Sequence, residues 1–261
     1  MDNQEVWLVT GAIEGLGRIL VKQLLKKGRK VAAIAGSLPV LTETFGEQQP
    51  GFLPLAVDLT SSVGVEDAVD RVIAYFGKID RVVNNAGYGL TGSLEELTDQ
   101  EVRNNFDSNV FGTLNVIRAV MLYLREQGSG HIFNISAVGE AYDNLPGLGI
   151  HYATTLAVQG LTGSLAAEVK QFGIGVTTVS TGYFNGLNTP RKKMAAYRNA
   201  RYPDGIDEEQ DVHAEKIADD IIRTAGSPDA PLCLHDPYRL NTVTLQHGNH
   251  RNAKGFLPAG V

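Results

Sequence analysis

Short runs of β-forming residues alternate with helix-length segments through most of this chain. One run, Val31–Ala35, is continuously apolar, as expected for a strand that is covered on both faces of a sheet. Strands that alternate with helices pair in parallel, because each helix carries the chain back to the same end of the sheet. The sequence therefore predicts an α/β fold, a single-domain Rossmann-type doubly wound parallel sheet. The predicted elements are Val6–Thr10, Leu16–Leu25, Val31–Ala35, Leu53–Val57, Val65–Phe76, Arg81–Val83, Glu101–Gln127, His131–Ile135, Tyr152–Phe172 and Val176–Ser180.

The length and composition fit one large domain with a sizeable core. The chain has 261 residues, of which 43% are hydrophobic and 20% are charged. Domains of the α/β class often reach about 250 residues. We expect one domain over residues 1–261, with a substrate or lid loop at about 181–211 and an irregular C-terminal tail at about 236–261.

Charge and cysteine content exclude several classes of function. The 23 Lys and Arg against 29 Asp and Glu give a net charge of −6, whereas proteins that bind nucleic acid are usually basic. The single cysteine, Cys233, cannot form an internal disulfide. No apolar run approaches the roughly 18 residues that a bilayer span needs, so we expect a cytoplasmic protein with neither nucleic acid nor membrane as partner. His247 and His250 lack a third ligand, and no metal site is expected.

A glycine-rich turn follows the first predicted strand. It places Gly11, Gly15 and Gly17 directly after Thr10, in the spacing Thr-Gly-x-x-x-Gly-x-Gly. Such glycines let the backbone turn tightly, let a pyrophosphate approach the helix N-terminus, and let the helix pack closely on the strand. Three further features follow in order: Asp58 after the third strand, Asn84-Asn85-Ala86-Gly87 after the fourth, and Asn109 in the next helix.

In these features the chain resembles the short-chain dehydrogenase/reductase family, and the resemblance covers about residues 5–230. Asn134-Ile135-Ser136, Pro146-Gly147 and the segment Val158–Thr162 extend it. The resemblance implies a Rossmann-type fold and an NAD(P) cofactor. It also implies which residues meet that cofactor: Gly11, Gly15 and Gly17 along the dinucleotide, Asp58 at the adenine, and Asn85 with Ala86 beside the adenosine ribose.

The positions that select between NAD and NADP carry neither of the family's usual residues. NAD-preferring members place Asp at the end of the second strand, and NADP-preferring members place Arg or Lys there or just before the second glycine. Here those positions hold Gly36, Ser37 and Glu14. Because Glu14 would repel a 2′-phosphate but could accept a hydroxyl hydrogen bond, we expect weak dinucleotide binding with NAD favoured over NADP. Alternatively, dinucleotide binding is lost and the glycines serve only to pack the helix on the strand.

The family's catalytic Tyr and Lys stand four residues apart on one helix, so that both reach one site. Two registers fit this chain. The first makes Tyr152 the catalytic tyrosine and puts Leu156 at the lysine. The second, which we prefer, aligns the alanines and glycine of the motif without a gap and puts His151 at the tyrosine and Thr155 at the lysine. The lysine is absent in both registers.

The family's catalytic serine is also in doubt here. The family pattern Asn-Ile-Ser-Ser-Val uses its second serine, and this chain has Ala137 at that position. Ser136 remains, and we expect it to point elsewhere. The family uses four catalytic residues, Asn, Ser, Tyr and Lys. In this chain only the Asn, at Asn109, is present at its expected position.

The sequence supports an enzyme of a specialised pathway that acts on a small or medium organic substrate with non-standard chemistry. His151, with Tyr152, Asn109 or Ser136, would supply acid/base or orienting groups for a cyclisation, isomerisation, elimination or atypical NAD(P)H-dependent reduction, for example of an iminium. The alternative is a non-catalytic binding or regulatory subunit. We expect a homodimer or homotetramer, since the family pairs its two long central helices across a two-fold axis.

Overall fold

A computed structural model describes residues 4–136, 146–181, 187–188, 209–227 and 230–235 of the chain. Its centre is a seven-stranded sheet in which every neighbouring pair is parallel, in the order β3-β2-β1-β4-β6-β7-β9. The strands are β1 Val6–Thr10, β2 Lys30–Ala35, β3 Phe52–Ala56, β4 Arg81–Asn84, β6 Gly130–Ser136, β7 Ile174–Ser180 and β9 Cys233–His235. Two short strands, β5 Gly89–Leu90 and β8 Leu187–Asn188, pair with each other outside this sheet.

Helices cover both faces of the sheet. The helices are α1 Gly15–Lys26, α2 Leu38–Phe45, α3 Ser62–Phe76, α4 Asp99–Phe106, α5 Gly112–Gln127, α6 Gly149–Val169 and α7 Glu209–Ala225. Apolar side chains of α3, α5 and α6 form one core cluster, and those of α1, α2 and α7 form the other. The predicted doubly wound parallel sheet is therefore confirmed.

Strand β2 shows why a strand inside this sheet can be almost continuously apolar. Ala32 and Ile34 belong to one core cluster, whereas Val31 and Ala33 belong to the opposite one. Successive side chains of a strand point to opposite faces, so a strand that is covered twice needs apolar residues at every position.

A π-helical turn, Asp107–Phe111, joins α4 to α5 without a break. Thr98 and Glu101 form a capping box that starts α4, in which the Thr98 hydroxyl accepts from the Glu101 N–H and the Glu101 carboxylate accepts from the Thr98 N–H. The predicted helix Glu101–Gln127 is thus one continuous helical segment with a wider turn near its middle. Turns of this kind occur often at functional sites.

The structure adds elements that the sequence patterns did not predict, namely α2, α7 and strands β5, β8 and β9. Helix α7 begins at Glu209, inside the expected loop at about 181–211, and Leu187–Asn188 of that loop forms strand β8. The remainder of that loop, and the expected tail at 236–261, lie outside the described residues. Within the described ranges, no helix has both the length and the apolar character required to cross a bilayer.

Candidate active site

A cavity of about 480 Å³ opens at the carboxyl ends of the central strands. Residues that follow β1, β2, β3 and β4 line it, and helix α6 forms its far wall. From β1 the chain continues to β2 and β3 on one side of the sheet, and from β4 it continues to β6 and β7 on the other side. The direction of strand addition therefore switches between β1 and β4. Ligands of open α/β sheets bind in the crevice at such a switch point.

The glycine turn lies at one end of the cavity. Gly11 and Gly15 have φ values of +65° and +50°, a backbone region that favours glycine. A Cβ at Gly11 would stand 2.8 Å from the Cα of Ala86, and one at Gly17 would overlap the carbonyl oxygen of Gly11. Gly11 and Gly15 line the cavity, whereas Gly17 permits close packing behind it and is not in its wall.

The loop after β4 is held against this turn by hydrogen bonds. The Asn85 Nδ2 group donates to the carbonyl oxygens of Thr10 and Gly11, at 3.2 and 3.1 Å. The Thr10 hydroxyl accepts from the backbone N–H groups of Asn85 and Ala86, both at 3.1 Å. Asn85 and Ala86 therefore form a fixed part of the cavity wall.

Glu14 and Asp58 bring negative charge to the same end of the cavity. Glu14 is the exposed N-cap residue of α1, and its side chain makes no capping hydrogen bond, so it leaves the helix's first N–H groups open. Asp58 accepts hydrogen bonds from the Thr60 hydroxyl at 2.7 Å and the Thr60 N–H at 2.9 Å, which hold the pKa of its carboxyl below the usual value. None of the described residues that line the cavity is Lys or Arg.

Asn109 fixes the middle of the cavity from the π-helical turn. Its Oδ1 atom accepts from the Tyr88 N–H at 3.0 Å, and its Nδ2 group donates to the Tyr88 carbonyl oxygen at 2.9 Å. The same Nδ2 group lies 3.3 Å from the Thr154 hydroxyl on α6. Asn109 thus ties the loop after β4 to the helix that carries the other candidate residues.

His151, Thr154, Thr155 and Val158 of α6 line the other end of the cavity. The hydroxyls of Thr154 and Thr155 donate to the backbone carbonyl oxygen of His151, at 3.0 and 2.7 Å. This is the helix face on which the preferred register puts the family's tyrosine and lysine positions. Tyr152 and Leu156, the residues of the other register, are not in the cavity wall, and Leu156 is 39% exposed.

Burial changes the acid/base character of His151. Loss of solvent around the imidazole lowers its pKa below the ordinary value of 6.5. Its Nδ1 atom is enclosed and has no hydrogen-bond partner among the described residues. The ring of Tyr152 lies 6.0 Å from it, centroid to centroid. The uncharged imidazole is therefore the form present at neutral pH.

Ser136 is buried and is not in the cavity wall. Its hydroxyl oxygen accepts from the Gln159 Nε2 group at 2.8 Å, and its carbonyl oxygen accepts from the Thr181 N–H at 3.0 Å. The neighbouring Ala137 lies outside the described residues. Of the sequence-predicted candidates, the cavity thus unites Gly11, Glu14, Gly15, Asp58, Asn85, Ala86, Asn109 and His151, and does not include Gly17, Ser136 or Tyr152.

Two residues of the site were not singled out from the sequence. Thr154 bonds Asn109 and lines the cavity, and its position three residues after His151 on the same helix face could have indicated this. Tyr88 directly follows Asn84-Asn85-Ala86-Gly87, and its backbone holds Asn109. Within the described part of the chain, no group of three or more metal-ligating side chains is assembled, and His247 and His250 lie outside that part.

Comparisons with known proteins agree with this geometry. Residues 5–196 match the profile of the family described as short chain dehydrogenase. A 3-ketodihydrosphingosine reductase from Bacteroides thetaiotaomicron is 31% identical over 97% of this chain and 93% of its own length. The chain therefore belongs to the short-chain dehydrogenase family.

Solved structures give the same result for the fold. A short-chain dehydrogenase from Streptomyces avermitilis has a TM-score of 0.73 and 27% identity, and the match covers 90% of this chain and 88% of the other. The structure of an NAD⁺-bound xylitol dehydrogenase has a TM-score of 0.62 and 26% identity, over 70% of this chain and 72% of the other. The family and the fold predicted from the sequence are both confirmed.

Proposed function

We propose that this protein is an NAD(H)-binding enzyme of a specialised pathway that acts on a small or medium organic molecule with His151 at its reacting centre. The observation that carries the proposal is one continuous cavity with the glycine turn at one end and His151 at the other. Chemistry at a bound molecule requires a titratable or polarising side chain in contact with it, whereas binding alone does not require one. The cavity therefore favours an enzyme over a binding or regulatory subunit.

The cofactor would lie along the glycine turn. The open N–H groups at the start of α1 suit a pyrophosphate, and Gly11 leaves the close approach that a side chain would block. Asp58 and the fixed Asn85–Ala86 segment would meet the adenosine. The NAD⁺ in the xylitol dehydrogenase structure supports this assignment by family likeness. When bound, the nicotinamide would supply or accept a hydride.

We propose that NAD(H) binds more tightly than NADP(H). Glu14 lines the cavity beside the phosphate-binding turn, and the described lining residues offer no cation to a 2′-phosphate. At the end of β2, the space beside Gly36 is open. Repulsion from Glu14 would thus disfavour the additional phosphate without any opposing attraction.

The chemistry at the other end would depart from the family's Tyr-Lys mechanism. Thr155 has its hydroxyl bonded to the helix backbone and brings no positive charge to the cavity. His151 would act in place of the tyrosine as an acid/base or orienting group, because an imidazole functions near neutral pH without an adjacent lysine. Cyclisation, isomerisation, elimination and reduction of an activated acceptor are the reactions that such a site suits.

We further propose that two copies of the chain associate through α6 and the adjoining π-helical turn. Phe111 on the turn and Leu156 on α6 are 52% and 39% exposed. Val169, near the C-terminal end of α6, is buried in the core at 3% exposure. The surface is therefore confined to the part of α6 nearer the cavity.

The test of the proposed function is equilibrium titration of the purified protein with NADH, followed by fluorescence. Saturable binding that is lost in a Gly11→Val variant supports the cofactor site, because the new Cβ would meet Ala86. Gly51→Val, outside the cavity wall and with open space where the new side chain would stand, is the matched control for a general effect of substitution. If the unsubstituted protein binds no dinucleotide at any accessible concentration, the proposal is wrong and the regulatory alternative is preferred.

A further inference from the structure

The two ring nitrogens of His151 stand in different surroundings. Nδ1 is enclosed by protein and meets no hydrogen-bond partner among the described residues. The adjacent hydroxyls of Thr154 and Thr155 donate to the backbone carbonyl of His151 and are not bonded to its ring. Since His151 is part of the cavity wall, Nε2 is the nitrogen through which it can meet a ligand.

A neutral imidazole carries one hydrogen, on either Nδ1 or Nε2. Buried N–H groups without an acceptor are rarer in proteins than under-satisfied acceptors, so an orphaned lone pair is the more tolerable of the two arrangements. The enclosed Nδ1 of His151 is therefore best accommodated as the bare nitrogen. The hydrogen is then on Nε2.

We propose, building on the function proposed above, that His151 presents an Nε2–H donor to the cavity and so selects a substrate whose contacting atom is a hydrogen-bond acceptor, such as a carbonyl oxygen. In this state Nε2 has no lone pair with which to remove a proton. The residue would orient and polarise the acceptor and would not act as a general base. A fully substituted iminium, which has no lone pair to offer, is then disfavoured as the group at this position.

The charges around the ring are consistent with an uncharged donor. Glu14 and Asp58, the acidic residues of the cavity, belong to its glycine-turn end, and the described lining residues include no cation. Burial also lowers the pKa of the imidazole, which keeps the neutral form dominant at neutral pH. An imidazolium would place a hydrogen on both ring nitrogens, and Nδ1 has no acceptor for one among the described residues.

His131 provides an internal reference for this state. Its Nε2 atom lies 2.8 Å from the Thr177 hydroxyl, and that hydroxyl donates its only hydrogen to the Pro231 carbonyl oxygen at 2.7 Å. Thr177 can therefore only accept from the ring, so His131 carries its hydrogen on Nε2. The same chain thus contains a second histidine whose tautomer is fixed by its contacts.

The test is a long-range ¹H–¹⁵N correlation spectrum of the full chain labelled with ¹⁵N-histidine, at neutral pH and without cofactor. His151→Gln and His131→Gln variants assign the two signals, and His151→Asn replaces the first variant if it does not fold. We expect His151 to show the Nε2–H pattern, as His131 does. An Nδ1–H pattern or an imidazolium pattern for His151 overturns the proposal.

The substrate class is tested by adding cyclohexanone to the NADH-saturated protein and following the His151 Nε2 signal. If the ketone changes the chemical shift of the His151 Nε2 signal and leaves that of His131 unchanged, the result supports an Nε2–H donor that binds a hydrogen-bond acceptor. An unmoved His151 signal at the solubility limit of the ketone overturns the acceptor assignment. Failure of NADH to bind would instead refute the proposed function, and the cofactor-free spectrum separates the two results.

Discussion

The Thr155 hydroxyl donates a 2.7 Å hydrogen bond to the carbonyl oxygen of His151, one turn earlier in α6. A bond of this kind commits the Thr155 side chain to its own helix. In the register that we prefer, the position of the family's lysine would therefore contribute a short side chain and no charge. This relationship between two residues is the basis for expecting chemistry that does not depend on a Tyr-Lys pair.

Restoring the family's residues tests this expectation. We expect the combined variant Ala137→Ser, His151→Tyr and Thr155→Lys to lose the native reaction and to gain NADH-dependent reduction of simple ketones. The ordinary pKa of a tyrosine is about 10, so a tyrosine needs a nearby positive charge to act at neutral pH, and the lysine would supply that charge. The oxidation of NADH in the presence of cyclohexanone, followed by absorbance, is the measurement. Faster native turnover in the variant would contradict the proposal.

The two sequence registers make opposite predictions for adjacent residues. We expect His151→Ala to reduce the native reaction by about 10²- to 10³-fold, the range typical of losing one hydrogen-bond donor that polarises a reacting oxygen. Tyr152→Phe is the matched control and should stay within about threefold, because Tyr152 is not in the cavity wall. Circular dichroism checks that both variants fold. A large loss for Tyr152→Phe alone would favour the other register.

Cofactor preference should respond to a single carboxylate. We expect NADH to bind more tightly than NADPH. Glu14→Gln should lower the ratio of the NADPH to the NADH dissociation constant about fivefold, which corresponds to about 1 kcal/mol of removed repulsion. Glu66→Gln, which removes the same charge from the exposed surface of α3, should leave the ratio unchanged. Isothermal titration provides both constants. NADPH binding about tenfold tighter than NADH in the unsubstituted protein would refute the preference.

His131 should make the fold sensitive to acid. Burial, and secondarily the charge of Arg81, lowers the pKa of His131 from 6.5 to about 4. Because the unfolded chain takes up this proton first, stability present above pH 6.5 is lost as pH falls towards 4, by up to about 3 kcal/mol. Urea unfolding across this range measures the loss. The free energy of unfolding should fall less steeply between pH 6.5 and 4 in His131→Gln, and as steeply as in the unsubstituted protein in His213→Gln. An equally steep fall in the two variants would exclude His131 as the cause.

Association should depend on the exposed apolar residues of α6 and the π-helical turn. We expect a dimer or tetramer at micromolar concentration, and Leu156→Glu to shift it towards monomer by placing a charge on the shared surface. Val63→Glu, at a residue 74% exposed on α3, is the control. Sedimentation velocity gives the masses. A monomer of 28.1 kDa for the unsubstituted chain would refute the proposed assembly.

The sequence predicted strands β1 and β2 well because each is a largely apolar run that ends near turn residues. Predicted and observed bounds of β1 coincide at Val6–Thr10, and those of β2 differ by one residue. Helix α2 was missed since its single buried residue, Leu41, leaves no repeating apolar pattern to detect. Strands β5 and β8 are two residues each, and their pairing depends on tertiary contacts that no local pattern encodes.

The site was predictable where a glycine or a motif marks it, as at Gly11 and Asn85. The expectation that Ser136 points elsewhere stays a prediction; its hydroxyl accepts from Gln159, and the residue is not in the cavity wall. The contact between Asn109 and Thr154 was not predicted. The packing of two helices that are distant in sequence brings Thr154 to Asn109, and no local pattern encodes that packing. The enclosure of one His151 nitrogen is likewise a property of the assembled cavity.

The π-helical turn sets the rotational phase between the two halves of a long helix. One residue corresponds to about 100° of rotation in an α-helix, and a π-turn accommodates a residue more than an α-turn does. Removing a residue from Asp107–Phe111 would therefore rotate one half of the helix relative to the other. Either the buried residues Val116, Val120 and Leu124 of α5 would turn towards solvent, or Asn109 would move away from Tyr88. The chain can keep both its core and the hydrogen bonds of Asn109 only while this segment retains its length, so a one-residue deletion there would cost one of the two even if every remaining side chain were unchanged.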